Sequence, residues 1–127
     1  MAKGTIIIAE DDPALRNLYM KKFGLSGYNL KTCENGEEAL QALQTMMPDI
    51  LLLDIHMPKM DGFTVLQHLP PPGQRPYPVL MLTNFGDPKA FEQGKALGAD
   101  GFFVKKDMTI RKLVEMVETL VAQKHQG

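Results

Sequence analysis

What this 127-residue chain has little of narrows its class before any motif is read. A single cysteine, Cys33, has no partner for an internal disulfide and no ligand-spaced Cys or His beside it, so it reads as a small packed residue in a reducing compartment. No apolar stretch approaches the roughly 18 to 20 residues of a membrane span, and the N-terminus lacks the apolar core and small-residue cleavage site of a secretory signal. A cytoplasmic setting without a membrane partner is expected. The formal charge of −1 gives no basic footprint for nucleic acid, so no direct nucleic-acid contact is expected and protein partners are. Repeats, linkers and charge blocks are also missing, and the length suits one domain over 1–127 with a core over about 4–123. Hydrophobic residues at 44% suffice to bury that core without disulfides or a structural metal.

What is present is an alternation. Short continuous apolar runs at 6–9, 50–53, 79–82 and 102–104 are strands buried on both faces, separated by segments of helical periodicity. Such runs predict an α/β fold, a doubly wound parallel sheet with right-handed crossovers. Residues 28–33 mix Leu30 and Cys33 with Asn29, Lys31 and Thr32, which suits an edge strand. Helical stripes follow Leu15, Leu18, Tyr19 and Phe23, then Ala39, Leu43, Met46 and Met47, and most clearly Ile110, Leu113, Val114, Val117, Leu120 and Val121. A short third helix is expected over 63–69. The fourth, over 88–97, has a thin stripe with Gly94 inside it and is a candidate mobile element. The proline-rich run 69–78 cannot continue a helix or join a central strand and reads as a stiff connector rather than a proline-rich ligand for an aromatic groove.

Open α/β sheets bind their ligands beyond the carboxyl ends of the strands, and here polar residues collect there. Glu10 and Asp11 follow the first strand, Asp54 ends the third, Thr83 the fourth, and Lys105 follows the fifth. With the strand order 2-1-3-4-5 as a hypothesis, the switch point between strands 1 and 3 brings Glu10, Asp11 and Asp54 into one crevice. Three adjacent carboxylates repel unless a cation intervenes. Mg²⁺ suits an all-oxygen set better than zinc, because no His or Cys group accompanies it. Lys105 supplies a positive charge and Thr83 a hydroxyl, both suited to phosphoryl oxygens, and an aspartate can itself be the nucleophile toward phosphorus. Asp12, just before Pro13, reads instead as a helix N-cap, and His56 as a loop side chain.

Four stretches, "IIIAEDDPALR", "LLLDIHMPKMDG", "VLMLTN" and "GADGFFVKK", occur in order, and over nearly its whole length the chain resembles the receiver domain of two-component response regulators, of the chemotaxis-receiver kind. The resemblance implies a flavodoxin-like (βα)₅ sandwich. It also implies phosphorylation of Asp54 by a phosphohistidine on a sensor histidine kinase or a histidine phosphotransfer protein. Mg²⁺ would be held by Asp11, Asp54 and the backbone carbonyl of His56, with Glu10 reaching it through water. Thr83 and Phe102 would couple the phosphoryl group to a face formed by helix 4, strand 5 and helix 5, read by a downstream effector protein. Such a domain is no enzyme beyond catalysing its own phosphorylation and dephosphorylation.

The chain departs from that family at two places. Lys105 is followed by Lys106 where the family usually has proline, so a trans peptide is expected. Asn84 and Phe85 stand after Thr83, where Phe85 would shield a phosphoaspartate from water and lengthen its life. Two other classes stay open: an interaction module that has lost the chemistry, and a small aspartyl-phosphate phosphohydrolase, although His56 stands where such an enzyme would keep a second carboxylate. Flavin mononucleotide binding is not expected, because no phosphate loop of Ser, Thr and Gly follows the first strand. The chain reads as a stand-alone receiver or one cut from a longer protein.

Overall fold

The computed structural model describes residues 3–84 and 86–126, the last two by their backbone, so the expectation for the Phe85 side chain lies outside the described residues. Strands β1 (Gly4–Ala9), β2 (Tyr28–Cys33), β3 (Ile50–Asp54), β4 (Val79–Thr83) and β5 (Gly101–Val104) alternate with helices α1 (Pro13–Leu25), α2 (Gly36–Thr45), α3 (Gly62–Gln67), α4 (Pro88–Ala96) and α5 (Ile110–Gln126). All pairings are parallel, in the order β2-β1-β3-β4-β5. The hypothesised order is the observed one, and β2 lies at an edge as expected.

Alternate residues of the central strands feed two cores, one on each face. Ile6, Ile8, Ile50, Leu52, Leu80 and Leu82 pack with Tyr19 and Phe23 of α1 and Leu113 and Val117 of α5. On the other face Ile7, Leu51, Leu53, Val79 and Met81 pack with Ala39 of α2 and Val65 and Leu66 of α3. Each fully buried aliphatic side chain stabilises the fold by roughly 1.5–3 kcal/mol, which is why β1, β3 and β4 read as unbroken apolar runs.

Local chemistry sets the helix ends. The Asp12 carboxylate accepts hydrogen bonds from the Ala14 and Leu15 amides at 2.9 and 3.4 Å, with Pro13 at the first helical position, so the expected N-cap is present. Asp61 caps α3 through the Thr64 amide at 2.8 Å, and Asp87 caps α4 through Lys89 at 3.0 Å. Three expectations about helices need correction. α2 stops at Thr45, leaving Met46 extended and Met47 exposed, because Met47 precedes Pro48 and that position disfavours helical backbone. Leu18 is exposed rather than core, since the buried stripe of α1 runs through Tyr19 and Phe23. α3 ends at Gln67, two residues before Leu69 and three before Pro70.

The 69–78 connector lies at the end of the sheet opposite the strand tips, and Arg75 within it is buried. Its Nε donates to the Pro70 carbonyl at 3.1 Å, Nη1 to Gly98 at 2.9 Å and Nη2 to Leu97 at 3.3 Å, while Lys124 Nζ donates to the carbonyl of Arg75 itself at 2.7 Å. This guanidinium ties the loop to the carboxyl end of α4, where the helix macrodipole is negative.

Candidate functional site

The strand register decides which side chains meet. β1 pairs with β3 through Ala9 and Leu53, so the next residues, Glu10 and Asp54, emerge side by side at the switch point. β4 and β5 end in register at Thr83 and Val104, which delivers Lys105 to the same end. The Lys105 amide donates to the Thr83 carbonyl at 2.8 Å and so extends the ladder by one residue. No cis peptide occurs among the described residues, in keeping with the trans Lys105–Lys106 bond expected from sequence.

Lys105 Nζ donates to Glu10 Oε1 at 2.5 Å and to Asp54 Oδ2 at 2.7 Å. All three are withdrawn from solvent: Glu10 is fully buried, Asp54 nearly so, and the Lys105 side chain is 10% exposed. The second oxygen of Glu10 accepts the Asp12 amide at 3.2 Å, and Asp54 Oδ1 accepts the His56 amide at 3.2 Å. Asp11 stands at the exposed mouth, and oxygens of Glu10, Asp11 and Asp54 all lie within 4.8 Å of one another.

One ammonium cannot neutralise three carboxylates, and the ionisation of the group shows it. Burial, then hydrogen bonding with Asp54, raises the Glu10 carboxyl above its ordinary range against the opposing pull of Lys105. Asp11 is raised as well, by partial burial first and then by Glu10. Burial alone would lower the Lys105 ammonium, but its hydrogen bonds and charge interactions with Asp54 and Glu10 outweigh that and raise it. Such a net-negative, all-oxygen cluster fits a hard divalent cation such as Mg²⁺.

Close backbone packing holds the acceptor strand in place. A Cβ on Gly62 would run into the Asp54 carbonyl, and one on Gly36 into the carbonyl of Met60, so the Asp61-Gly62 turn folds directly under the site. The Gly62 amide donates to the Ile55 carbonyl at 2.9 Å. Lys59 takes a left-handed φ of 66° in the same turn.

Thr83 is buried at the end of β4, beside a cavity of about 220 Å³ that His56, Phe63, Asp87 and Ala90 also line. Phe102 does not join the carboxylates. In register with Met81, it lies on the α4 side of the sheet, its ring centroid 4.8 Å from that of Phe91 and its edge against Gly94, where a Cβ would come within 2.6 Å of the ring. The glycine that weakens α4 as a helix thus makes room for this ring. Sequence reasoning missed Arg16, whose Nη1 donates to the carbonyls of Glu10 and Asp11 at 2.8 and 3.1 Å. No motif or periodicity in the sequence points to it, because its partners at the loop are main-chain carbonyls.

Comparison with known proteins bears on the family and the fold. A family model described as the response regulator receiver domain matches residues 6–118. A probable transcriptional regulator, ycf27, of Guillardia theta is 37% identical over 103 residues, covering 81% of this chain and 40% of that protein. A DNA-binding dual master transcriptional regulator, RpaA, of Synechocystis is 36% identical over 101 residues, covering 79% of this chain and 42% of that protein. The chain therefore spans about two fifths of the length of these curated relatives. Among solved structures, the signal receiver domain of a Syntrophus aciditrophicus signal transduction histidine kinase superposes with a TM-score of 0.83 at 31% identity, over 94% of this chain and 91% of that one. The chemotaxis protein CheY4 of Vibrio cholerae gives 0.83 at 29% identity, over 94% and 98%.

Proposed function

The chain belongs to the response regulator receiver family of two-component signalling, and from that premise we propose that it accepts a phosphoryl group on Asp54 from a phosphohistidine donor and thereby switches a protein-binding face. The observation that carries this reading is the single ammonium of Lys105 set between Glu10 and Asp54, with Asp11 alongside.

In the transfer, an Asp54 carboxylate oxygen forms a bond to phosphorus as the donor's N–P bond breaks, and the imidazole departs with the electron pair. Lys105, now facing Asp54, is placed to pair with a phosphoryl oxygen, and the Thr83 hydroxyl with another. Asp11, Asp54 and the backbone of His56 would hold Mg²⁺, with Glu10 behind them. When bound, the ion supplies neutralisation of the charge that collects on the transferring oxygens. Catalysis is confined to the domain's own phosphorylation and dephosphorylation.

The switch rests on Thr83 and Phe102. Room beside Thr83 and the seating of Phe102 against Phe91 and Gly94 support a coupled motion: Thr83 moves toward the phosphoryl group, Phe102 turns inward, and α4 loses its contact with the ring. The altered face comprises α4, β5 and α5. A sensor histidine kinase or histidine phosphotransfer protein is the partner upstream and an effector protein the one downstream. That effector can itself bind DNA, as the names of the transcriptional relatives allow, so the expectation of no nucleic-acid contact narrows to the surface of this chain. No described helix is long and apolar enough to cross a membrane.

Incubation with Mg²⁺ and a small phosphodonor, followed by intact-mass measurement, tests the reading. One added phosphate is expected on the wild type and none on Asp54→Asn. Rapid multiple turnover of the donor would mark a phosphohydrolase instead, and no adduct on the wild type an interaction module without the chemistry.

A further inference from the structure

The receiver reading leaves Arg16 without a role, yet its side chain is only 16% exposed and its Nη1 lies against the backbone of the acidic loop. Nη1 donates to the Glu10 carbonyl at 2.8 Å and to the Asp11 carbonyl at 3.1 Å, and Nη2 to Glu34 Oε1 at 3.3 Å. We propose that Arg16 is the positioning residue of the divalent-cation site, gripping the backbone of both acidic residues of the β1–α1 loop so that their carboxylates are aimed before an ion arrives. The proposal rests on the receiver reading, since it concerns Mg²⁺ at that same cluster.

Three features carry it. The guanidinium fork reaches two consecutive carbonyls with one nitrogen, which fixes the peptide plane between Glu10 and Asp11 and with it the direction in which the Asp11 side chain leaves the chain. The anchor is built from a second loop: Glu34 follows β2, and its amide donates to Glu38 Oε1 at 2.9 Å, tying the arrangement to the first turn of α2. Finally, Arg16 lies in the first turn of α1, where the positive end of the macrodipole disfavours a cation. Helix stability therefore does not account for an arginine there, and the grip on the two carbonyls does.

The sign of the effect separates positioning from plain electrostatics. Removing a positive charge near a cation site strengthens cation binding if charge alone matters. Removing a support that orients the ligands weakens it, by about 10-fold or more for partners of this kind. The test is titration of the full chain with Mg²⁺ alone, without phosphodonor, followed by amide chemical shifts in wild type, Arg16→Ala, Arg16→Lys and Glu34→Gln, with the urea midpoint of each recorded beside it. Expected is a weakening of about 10-fold in Arg16→Ala, partial recovery in Arg16→Lys, whose ammonium lacks the fork, and a smaller loss in Glu34→Gln. Binding as tight as wild type, or tighter, in Arg16→Ala overturns the proposal. Should Arg16→Ala not fold, wild-type affinity in both Arg16→Lys and Glu34→Gln overturns it as well. A wild type that binds no Mg²⁺ defeats both this inference and the receiver reading, whereas unchanged binding in the variants defeats this one only.

Discussion

Lys105 and Arg75 are buried cations at opposite ends of one sheet, and their surroundings differ in kind. Lys105 meets two carboxylates and leaves its neighbourhood short of positive charge. Among the described residues the Arg75 guanidinium donates to carbonyl oxygens, those of Pro70, Leu97 and Gly98. Carbonyl partners share out the charge among dipoles and hold a loop against a helix end, with nothing left to react. Carboxylate partners hold the ammonium equally firmly but create a deficit that an incoming cation can relieve. Burial of a charge thus says little about function, and the identity of what surrounds it says a good deal.

Substituting each cation in turn breaks the comparison apart. Lys105→Met strands Glu10 and Asp54 together in the interior and should cost about 3–5 kcal/mol in Mg²⁺-free buffer. Part of that loss should return with saturating Mg²⁺, because binding to the folded state alone stabilises it. Urea unfolding with and without Mg²⁺ measures both, and intact mass should show no phosphate adduct. Arg75→Met removes the donors to three carbonyls and should cost about 2–3 kcal/mol. Its loss should be the same with and without Mg²⁺ and its adduct should form normally. A Mg²⁺-dependent loss in Arg75→Met would erase the distinction drawn between the two ends.

The smallest effect sharpens it through pH. The folded Glu10 carboxyl lies above its ordinary value of 4.5, with burial the main cause, so the native state keeps a proton that the unfolded chain has released. Its contribution to stability is complete below pH 4.5 and is lost as pH rises through the folded value. Lys105, raised above 10.5, keeps its own contribution until strongly alkaline pH. In Mg²⁺-free urea titrations Glu10→Gln should therefore flatten the fall in stability from pH 4.5 upward. Arg75→Met should leave that slope as it is in the wild type.

The carboxylate end was the more legible of the two in the sequence. Glu10, Asp54, Thr83 and Lys105 each directly follow or close an apolar run, with Asp11 next to Glu10, and the parallel register carries such residues to a common edge. Given the strand order, their meeting is geometry. Arg75 gave no such signal, since an arginine among prolines looks solvated, and its burial depends on carbonyls 22 and 23 residues downstream. Arg16 was missed for a related reason: it binds main chain, which periodicity does not see. Met46 and Met47 kept helical spacing past the true end of α2, and the Pro48 that stops the helix was the cue left unused. Gly94 read as a defect of α4 because the ring that fills the space beside it comes from another strand.

The bridge from Lys105 to Glu10 spans 95 residues of sequence, and the one to Asp54 spans 51. During synthesis the acidic groups leave the ribosome long before the ammonium that joins them. A nascent or clipped chain lacking its fifth strand holds the ingredients of the crevice without their counter-charge. The fifth strand is thus what brings the ammonium to the two carboxylates, and the order of the chain makes that pairing one of the last to form as domains emerge from the amino end.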